Sequence, residues 1–271
     1  MEYLITATDY KLLEITKLAA KEAGAILKEG YYSEERINFE RKGASDFVTA
    51  YDRAAEKCII NRISSSFPEI AFIGEESGNT PGNMSDYTVI IDPLDGTNNF
   101  LHGVPHFSVS IAVTKHSNLL LGLVYQPLLD EMLWAIRGDG AYMNERPIRI
   151  HSARPLSEMI VSTCLPYHAK GDCSTALNQL TTLMPMVAGI RSPGSAALEI
   201  AYTSIERFDA FWSQGARLDF WDIAAGIIIA REAGCIVTDL SGDSNPTSWE
   251  SLLAAHPDRH GELLNLLNSL T

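Results

Sequence analysis

Two aspartates three positions apart, Asp92 and Asp95, stand where an apolar run ends, in V-I-I-D-P-L-D-G-T-N-N-F at residues 89–100. Val89, Ile90 and Ile91 read as a buried strand, and Pro93 cannot donate a further ladder hydrogen bond. Two carboxylates are therefore set at a strand mouth, where α/β folds usually keep their chemistry. Glu75 and Glu76 likewise follow a short strand, Asp52 lies three residues after Thr49 in a capping-box pattern, and Asp222 opens a helical segment. Taken singly, each of these acids is as readily a cap or turn carboxylate. Asp222 fits the third position of a helix capped by Asp219, a placement worth about 0.3–1 kcal/mol. Taken together they pose a problem, because carboxylates about 4 Å apart repel by roughly 4 kcal/mol per pair at an effective dielectric near 20. Two divalent cations would offset that charge. Oxygen donors without a His or Cys cluster point to Mg²⁺ or Mn²⁺ and away from zinc.

Other readings of the same acids fail on spacing. A calcium loop starting at Asp92 needs an oxygen ligand at its third position, where Leu94 stands. A phosphatase that forms an aspartyl-phosphate needs its acids two apart, which disfavours a covalent mechanism. His102 and His106 are loop or strand polars, since Gly103 and Pro105 exclude a helix that could present them as a metal pair. Glu76 is expected beside the ligands, and Trp221 in the core or site wall.

With 271 residues, 46% hydrophobic and 20% charged, the chain suits one globular domain or two fused halves. The apolar runs Leu119 to Tyr125 and Ile223 to Ala230 are too short or interrupted to span a bilayer, and no signal pattern opens the sequence. The expected location is the cytoplasm. The four cysteines, Cys58, Cys164, Cys173 and Cys235, match neither a zinc spacing nor a disulfide framework. A net charge of -13 argues against a nucleic-acid surface. An acidic protein can still take a phosphorylated substrate if metal ions supply positive charge.

The elements that must position these acids follow from periodicity. A helix is predicted from an Asp9 cap to Gly30, a short extended piece at Phe47 and Val48, and a second helix to about Phe67. Strands are predicted at 70–73, 87–92, 107–113, 119–125, 132–136, 141–143 and 148–150, making residues 1–150 two helices beside a large, mainly antiparallel sheet. Residues 151–271 alternate strands at 159–163, 189–191, 208–211, 235–240 and 252–255 with helices at 175–186, 195–204, 221–233 and 257–267, an α/β half. The two halves are expected to form one compact unit.

G-E-E-S at 74–77, I-D-P-L-D-G-T-N-N-F at 91–100 and W-D-I-A-A-G at 221–226 followed by E-A-G resemble the motifs of the inositol monophosphatase family, among the Mg²⁺-dependent, lithium-sensitive phosphatases. K-G-A-S-D-F-V-T-A-Y-D-R-A-A-E and R-S-P-G-S-A-A-L extend the likeness, which runs from about residue 10 to 265. The resemblance implies an αβαβα layered fold and a phosphomonoesterase using two or three Mg²⁺ ions on a small phosphate ester, myo-inositol 1-phosphate first. By the same resemblance Glu75, Asp92, the carbonyl of Leu94, Asp95 and Asp222 hold the metals. Gly96 and Thr97 offer N–H groups to the phosphate, with Asp95 and Asp222 also reaching substrate, and Thr97 with Asp52 positions and deprotonates the attacking water. Lys42 is expected near the site. Homodimers are common in the family, and no membrane or nucleic-acid partner is expected.

One departure concerns the alcohol. Members that favour inositol have W-E-x-G-L-x-x-W-D, whereas this chain reads W-S-Q-G-A-R-L-D-F-W-D, with Ser213 or Gln214 in place of the acid and two residues more before Trp221. Fructose 1,6-bisphosphate and 3'-phosphoadenosine 5'-phosphate are therefore alternative substrates. A regulatory or interaction role on the same scaffold is an alternative of another class.

Overall fold

The computed structural model describes residues 4–33, 38–43, 46–82, 86–167, 171 and 173–269. The side chain expected at Lys42, the Ala44–Ser45 part of the motif around it and residues 83–85 lie outside the described residues.

The chain begins with helix α1 (Ala7–Tyr31), the hairpin β1 (Phe39–Gly43) and β2 (Asp46–Thr49), then α2 (Ala50–Ser64). Asp9 is not the cap of α1. Thr6 is, and Asp9 lies three residues inside as the returning half of a capping box, buried against the Tyr87 hydroxyl at 2.8 Å. A Thr with an acid three residues on closes both orphan donors, and the acid alone closes one, so the longer motif sets the helix start. Helix α2 stops before Phe67 because the hydroxyls of Ser64 and Ser65 turn back onto the carbonyls of Ile60 and Asn61.

The large sheet takes β3 (Ala71–Gly74), β4 (Gly78–Thr80), β5 (Tyr87–Asp95), β6 (Ser108–Lys115), β7 (Asn118–Gln126), β8 (Glu131–Ile136), β9 (Gly140–Met143) and β10 (Arg146–Ile148), with helix α3 (Thr97–Leu101) between β5 and β6. Its order is β10-β9-β8-β7-β6-β5-β3-β4, antiparallel except for β3 against β5. The second sheet takes β11 (Ile160–Cys164), β12 (Gly189–Arg191), β13 (Ala210–Gln214), β14 (Ile236–Thr238) and β15 (Ser251–Ala255), in the order β12-β11-β13-β15-β14. Its helices are α4 (Cys173–Leu183), α5 (Ala196–Thr203), α6 (Phe220–Ala233) and α7 (Pro257–Asn268).

Alternation along the strands divides the apolar side chains into three cores. Ile91, Ile111, Leu121 and Leu123 face α1 and α2; Ile90, Ala112, Val124 and Leu133 face α5 and α6 on the other side. Phe211, Leu252 and Ala254 close that middle layer from the second sheet, while Trp212, Leu253 and Ala255 face α4 and α7. The layers are thus αβαβα, and α6 lies between two sheets. That explains the apolar run Ile223 to Ala230, every residue of which is buried, since a helix apolar on all sides must be covered on all sides. No described helix is long and apolar enough to cross a membrane.

Candidate active site

The strand β5 does not stop at Asp92. It continues to Asp95 through an irregularity at Pro93 and Leu94, where pairing with β6 skips from Asp92–Ser110 to Asp95–Ser108. A proline without an N–H interrupts the ladder but leaves it free to resume, and the extra residues turn both carboxylates toward one end of the sheet. The Asp92 Oδ1 accepts the Leu94 N–H at 3.0 Å, a local turn that closes the bulge. Glu75 arrives from the parallel neighbour β3, its N–H held by the Ile91 carbonyl at 3.1 Å. Asp222 arrives from the first turn of α6, where its Oδ2 accepts the Asp219 N–H at 2.6 Å. The capping role foreseen for Asp222 is therefore real, and it occupies one oxygen only.

These acids act on one another. Burial, then Glu75, Asp95 and Asp222, raise Asp92 well above the ordinary carboxylate range, and Glu75 is also its hydrogen-bond neighbour. Asp222 is raised likewise, by burial and then by Asp95. Burial lifts Asp95 to about 6 even though Ser195 and the N–H groups at the start of α5 stabilise its charge. Glu75, Asp95 and Asp222 line a cavity of about 450 Å³ between β5, the 192–196 segment and the turn before α6. Among the described residues no group of three or more His, Cys, Asp or Glu side chains is placed to hold a metal ion as it stands. Asp95 in particular is turned onto α5, accepting from Ser195 Oγ at 2.6 Å, Ala197 N at 2.8 Å and Ala196 N at 3.1 Å. The donors still fit a hard cation: all are oxygens, and the strongest influences on Asp92 after burial are all negative.

Beside the acids lies a second group. Asp52, third residue of α2, accepts the N–H of its cap Thr49 at 2.9 Å and the Thr49 hydroxyl on one oxygen. Its other oxygen stands 3.1 Å from Thr97 Oγ1, which is also 3.0 Å from the Leu94 carbonyl. The Thr97 hydroxyl has one proton and two acceptors, so it donates to one at a time. Burial raises Asp52, and its bonds to Thr49 and Thr97 work against that rise. Gly96 precedes Thr97 at φ 100, and a Cβ there would stand 3.1 Å from the His106 carbonyl. Only glycine turns the chain at this point without strain, leaving the first N–H groups of α3 without helical acceptors.

Several supporting residues gave weak signals in the sequence. Glu56 lies one turn after Asp52 on the buried face of α2, and its Oε1 accepts the Glu76 N–H at 3.0 Å. A Cβ on Gly74 would sit 2.1 Å from that oxygen, which accounts for the glycine of G-E-E-S. Its i, i+4 spacing from Asp52 was the available clue. Asn99 clamps the carbonyls of His106 and Pro193 at 2.6 and 2.7 Å, joining the two halves. Glu199, fully buried, holds the N–H groups of Gly194 and Ser195 at 2.9 and 3.2 Å. Ser195 and Glu199 form an S-x-x-x-E pattern, one residue longer than a capping box, which hid their role. His102 and His106 join no acid of the site, and Trp221 forms part of the cavity wall.

The profile of the inositol monophosphatase family matches residues 9–271. An "Inositol-1-monophosphatase" of Mesorhizobium japonicum is 38% identical over 245 residues, covering 90% of this chain and 91% of that protein. A "Nus factor SuhB" of Escherichia coli (strain K12) is 40% identical over 248 residues, covering 92% of each. The crystal structure of an extragenic suppressor protein suhB from Bartonella henselae superposes with a TM-score of 0.91 at 37% identity, over 95% of this chain and 98% of that one. Similarity at this level over nearly the whole length, with the acids of three motifs meeting at one cavity, places the chain in the inositol monophosphatase family.

Proposed function

We propose that the chain is a Mg²⁺-dependent phosphomonoesterase that hydrolyses a small sugar or polyol phosphate by direct attack of water, with myo-inositol 1-phosphate as the reference substrate. The observation that supports this most is the meeting of Glu75, Asp95 and Asp222 at a cavity large enough for a sugar phosphate, with Asp92 buried behind them and raised by all three. When bound, Mg²⁺ would neutralise these acids, lower the pKa of a water molecule and stabilise the departing alkoxide. The ligands in this reading are Glu75, Asp92, the Leu94 carbonyl, Asp95 and Asp222. Gly96 and Thr97 supply N–H groups to the phosphoryl oxygens. Thr97 Oγ1 accepts a proton from the attacking water as its own proton passes to Asp52, which Thr49 holds in place. A P–O bond to the water oxygen forms as the ester P–O bond breaks; the departing alkoxide takes a proton from solvent water, and Asp52 returns its proton to solvent.

A panel of phosphate esters with and without Mg²⁺ tests this reading, phosphate release being expected only with the metal. Li⁺ is expected to inhibit, and activity indifferent to Li⁺ counts against the lithium-sensitive assignment. We also expect a cytoplasmic homodimer, the oligomeric state being checked by sedimentation. A second reading, a regulatory or interaction role, draws support from relatives named Nus factor. Those names leave the expectation of no nucleic-acid partner, drawn from a charge of -13, without support. A cellular phenotype rescued by the Asp92→Asn protein would favour that reading.

A further inference from the structure

The described wall of the cavity carries four acids, Glu75, Asp95, Asp219 and Asp222, and one basic residue, Arg217. Arg217 lies in the turn between β13 and α6, is exposed, and holds φ 50, a left-handed conformation uncommon for a residue with a Cβ. Among the described residues it has no ion-pair partner. Ser213 and Gln214, which stand where the acid of the family motif would be, do not line the cavity. Ser213 is buried within β13, and the Gln214 side-chain oxygen accepts from Gln179 beneath the sheet. The longer turn before Trp221 brings a cation, Arg217, to the cavity wall beside Asp219. A backbone held in a sparsely populated region where a charged side chain meets a site is a reason to look for a ligand. Water and hydroxyl groups do not require such a charge, whereas a phosphate or carboxylate accepts two parallel hydrogen bonds from a guanidinium.

We infer that Arg217 reads a second anionic group on the alcohol half of the substrate, so that the preferred ester is a polyol or sugar phosphate bearing another phosphate or a carboxylate. The inference rests on the phosphatase reading above and narrows it. The acids take the scissile phosphate with the metal, and Arg217 takes the remote anion, fixing which end of the molecule enters first.

Matched pairs of esters test this. Fructose 1,6-bisphosphate is compared with fructose 1-phosphate, and 6-phosphogluconate with sorbitol 6-phosphate, by kcat/KM in Mg²⁺ for the wild type, Arg217→Gln and Arg217→Lys. Preference within the first pair identifies phosphate as the remote group, and preference within the second identifies carboxylate. In Arg217→Gln the ratio within the preferred pair is expected to fall about 10- to 100-fold, through KM rather than kcat, the range of a charge-assisted hydrogen bond. Arg217→Lys, which keeps the charge but not the paired hydrogen bonds, is expected to keep only part of the ratio, between wild type and Arg217→Gln. Phosphate release with no preference in either pair, or a loss in Arg217→Gln that is equal for both members of a pair, overturns the inference and leaves the phosphatase reading standing. No Mg²⁺-dependent release from any ester overturns the phosphatase reading itself.

Discussion

Asp92 is the residue on which the others converge. It is buried, next to Glu75 in hydrogen-bond contact, and raised by burial and then by that acid, Asp95 and Asp222. Replacing it with Asn keeps shape and removes one negative charge, so folding is expected to survive and metal-dependent turnover is not. We expect kcat in Asp92→Asn to fall about a hundredfold or more, the scale of lost metal stabilisation, with an unchanged circular dichroism spectrum; near-normal turnover contradicts the ligand role. In the proposed mechanism Thr97 and Asp52 form one proton path, their oxygens 3.1 Å apart. Groups that act as a unit are not additive. Thr97→Val, Asp52→Asn and the double variant are therefore expected to lose similar amounts of kcat, and a double variant whose loss is the product of the single losses argues that the two act separately.

At the scale of elements, the site is a junction of four chain ends: the bulged end of β5, the end of β3, and the starts of α2 and α6. Gly96 governs the first of these, because its φ of 100 lets Thr97 begin α3 directly after Asp95. Gly96→Ala is expected to destabilise the protein by about 1–3 kcal/mol, from left-handed strain plus the close His106 carbonyl, and to lower kcat by displacing Thr97. Thermal unfolding and turnover check this together, and a variant with wild-type melting temperature would show that the backbone relaxes. The start of α5 is a fifth participant. Its N–H groups and Ser195 hold Asp95, while Glu199 holds the turn that presents Ser195.

Over the whole molecule, the middle layer of α5 and α6 is shared by both sheets. We propose that the stretches 1–150 and 151–271 unfold as one cooperative unit for that reason, a single calorimetric transition being the expected result. The acid cluster gives that transition a pH dependence. Asp95 rises from an ordinary 3.8 to about 6, and Asp92 and Asp222 are raised too. Between unfolded and folded pKa values the native state binds more protons than the unfolded one, so stability falls as pH rises. With respect to these groups the metal-free protein is therefore expected to be most stable below about pH 4, and to lose stability as pH climbs from there through about 6 and beyond. Saturating Mg²⁺ should flatten or reverse that slope by stabilising the ionised acids. Melting temperatures at pH 5 and 8, in chelator and in Mg²⁺, check the sign, and a slope that ignores Mg²⁺ would place the titrating groups elsewhere.

Much of this was legible in the sequence because it is local. The capping box of Thr49 and Asp52, the strand leading into Asp92 and the three-residue spacing to Asp95 depend on neighbours in the chain, and local sterics and hydrogen bonding determine them. The alternation along β6 and the apolar runs of β5, β7 and β8 likewise announced strands of a large sheet. The true cap of α1 at Thr6, the resumption of β5 beyond Pro93 and the short helix α3 were less legible, since each depends on which competing local bond tertiary packing favours. Only the folded structure decided that Asp222 meets Asp92 across more than a hundred residues, that Asp95 rests on α5 with Ser195 and Glu199 beneath it, and that Arg217 faces the cavity while Ser213 and Gln214 do not. Such pairings join segments distant in sequence, and no periodicity or spacing within one segment encodes the partner that burial will bring to it.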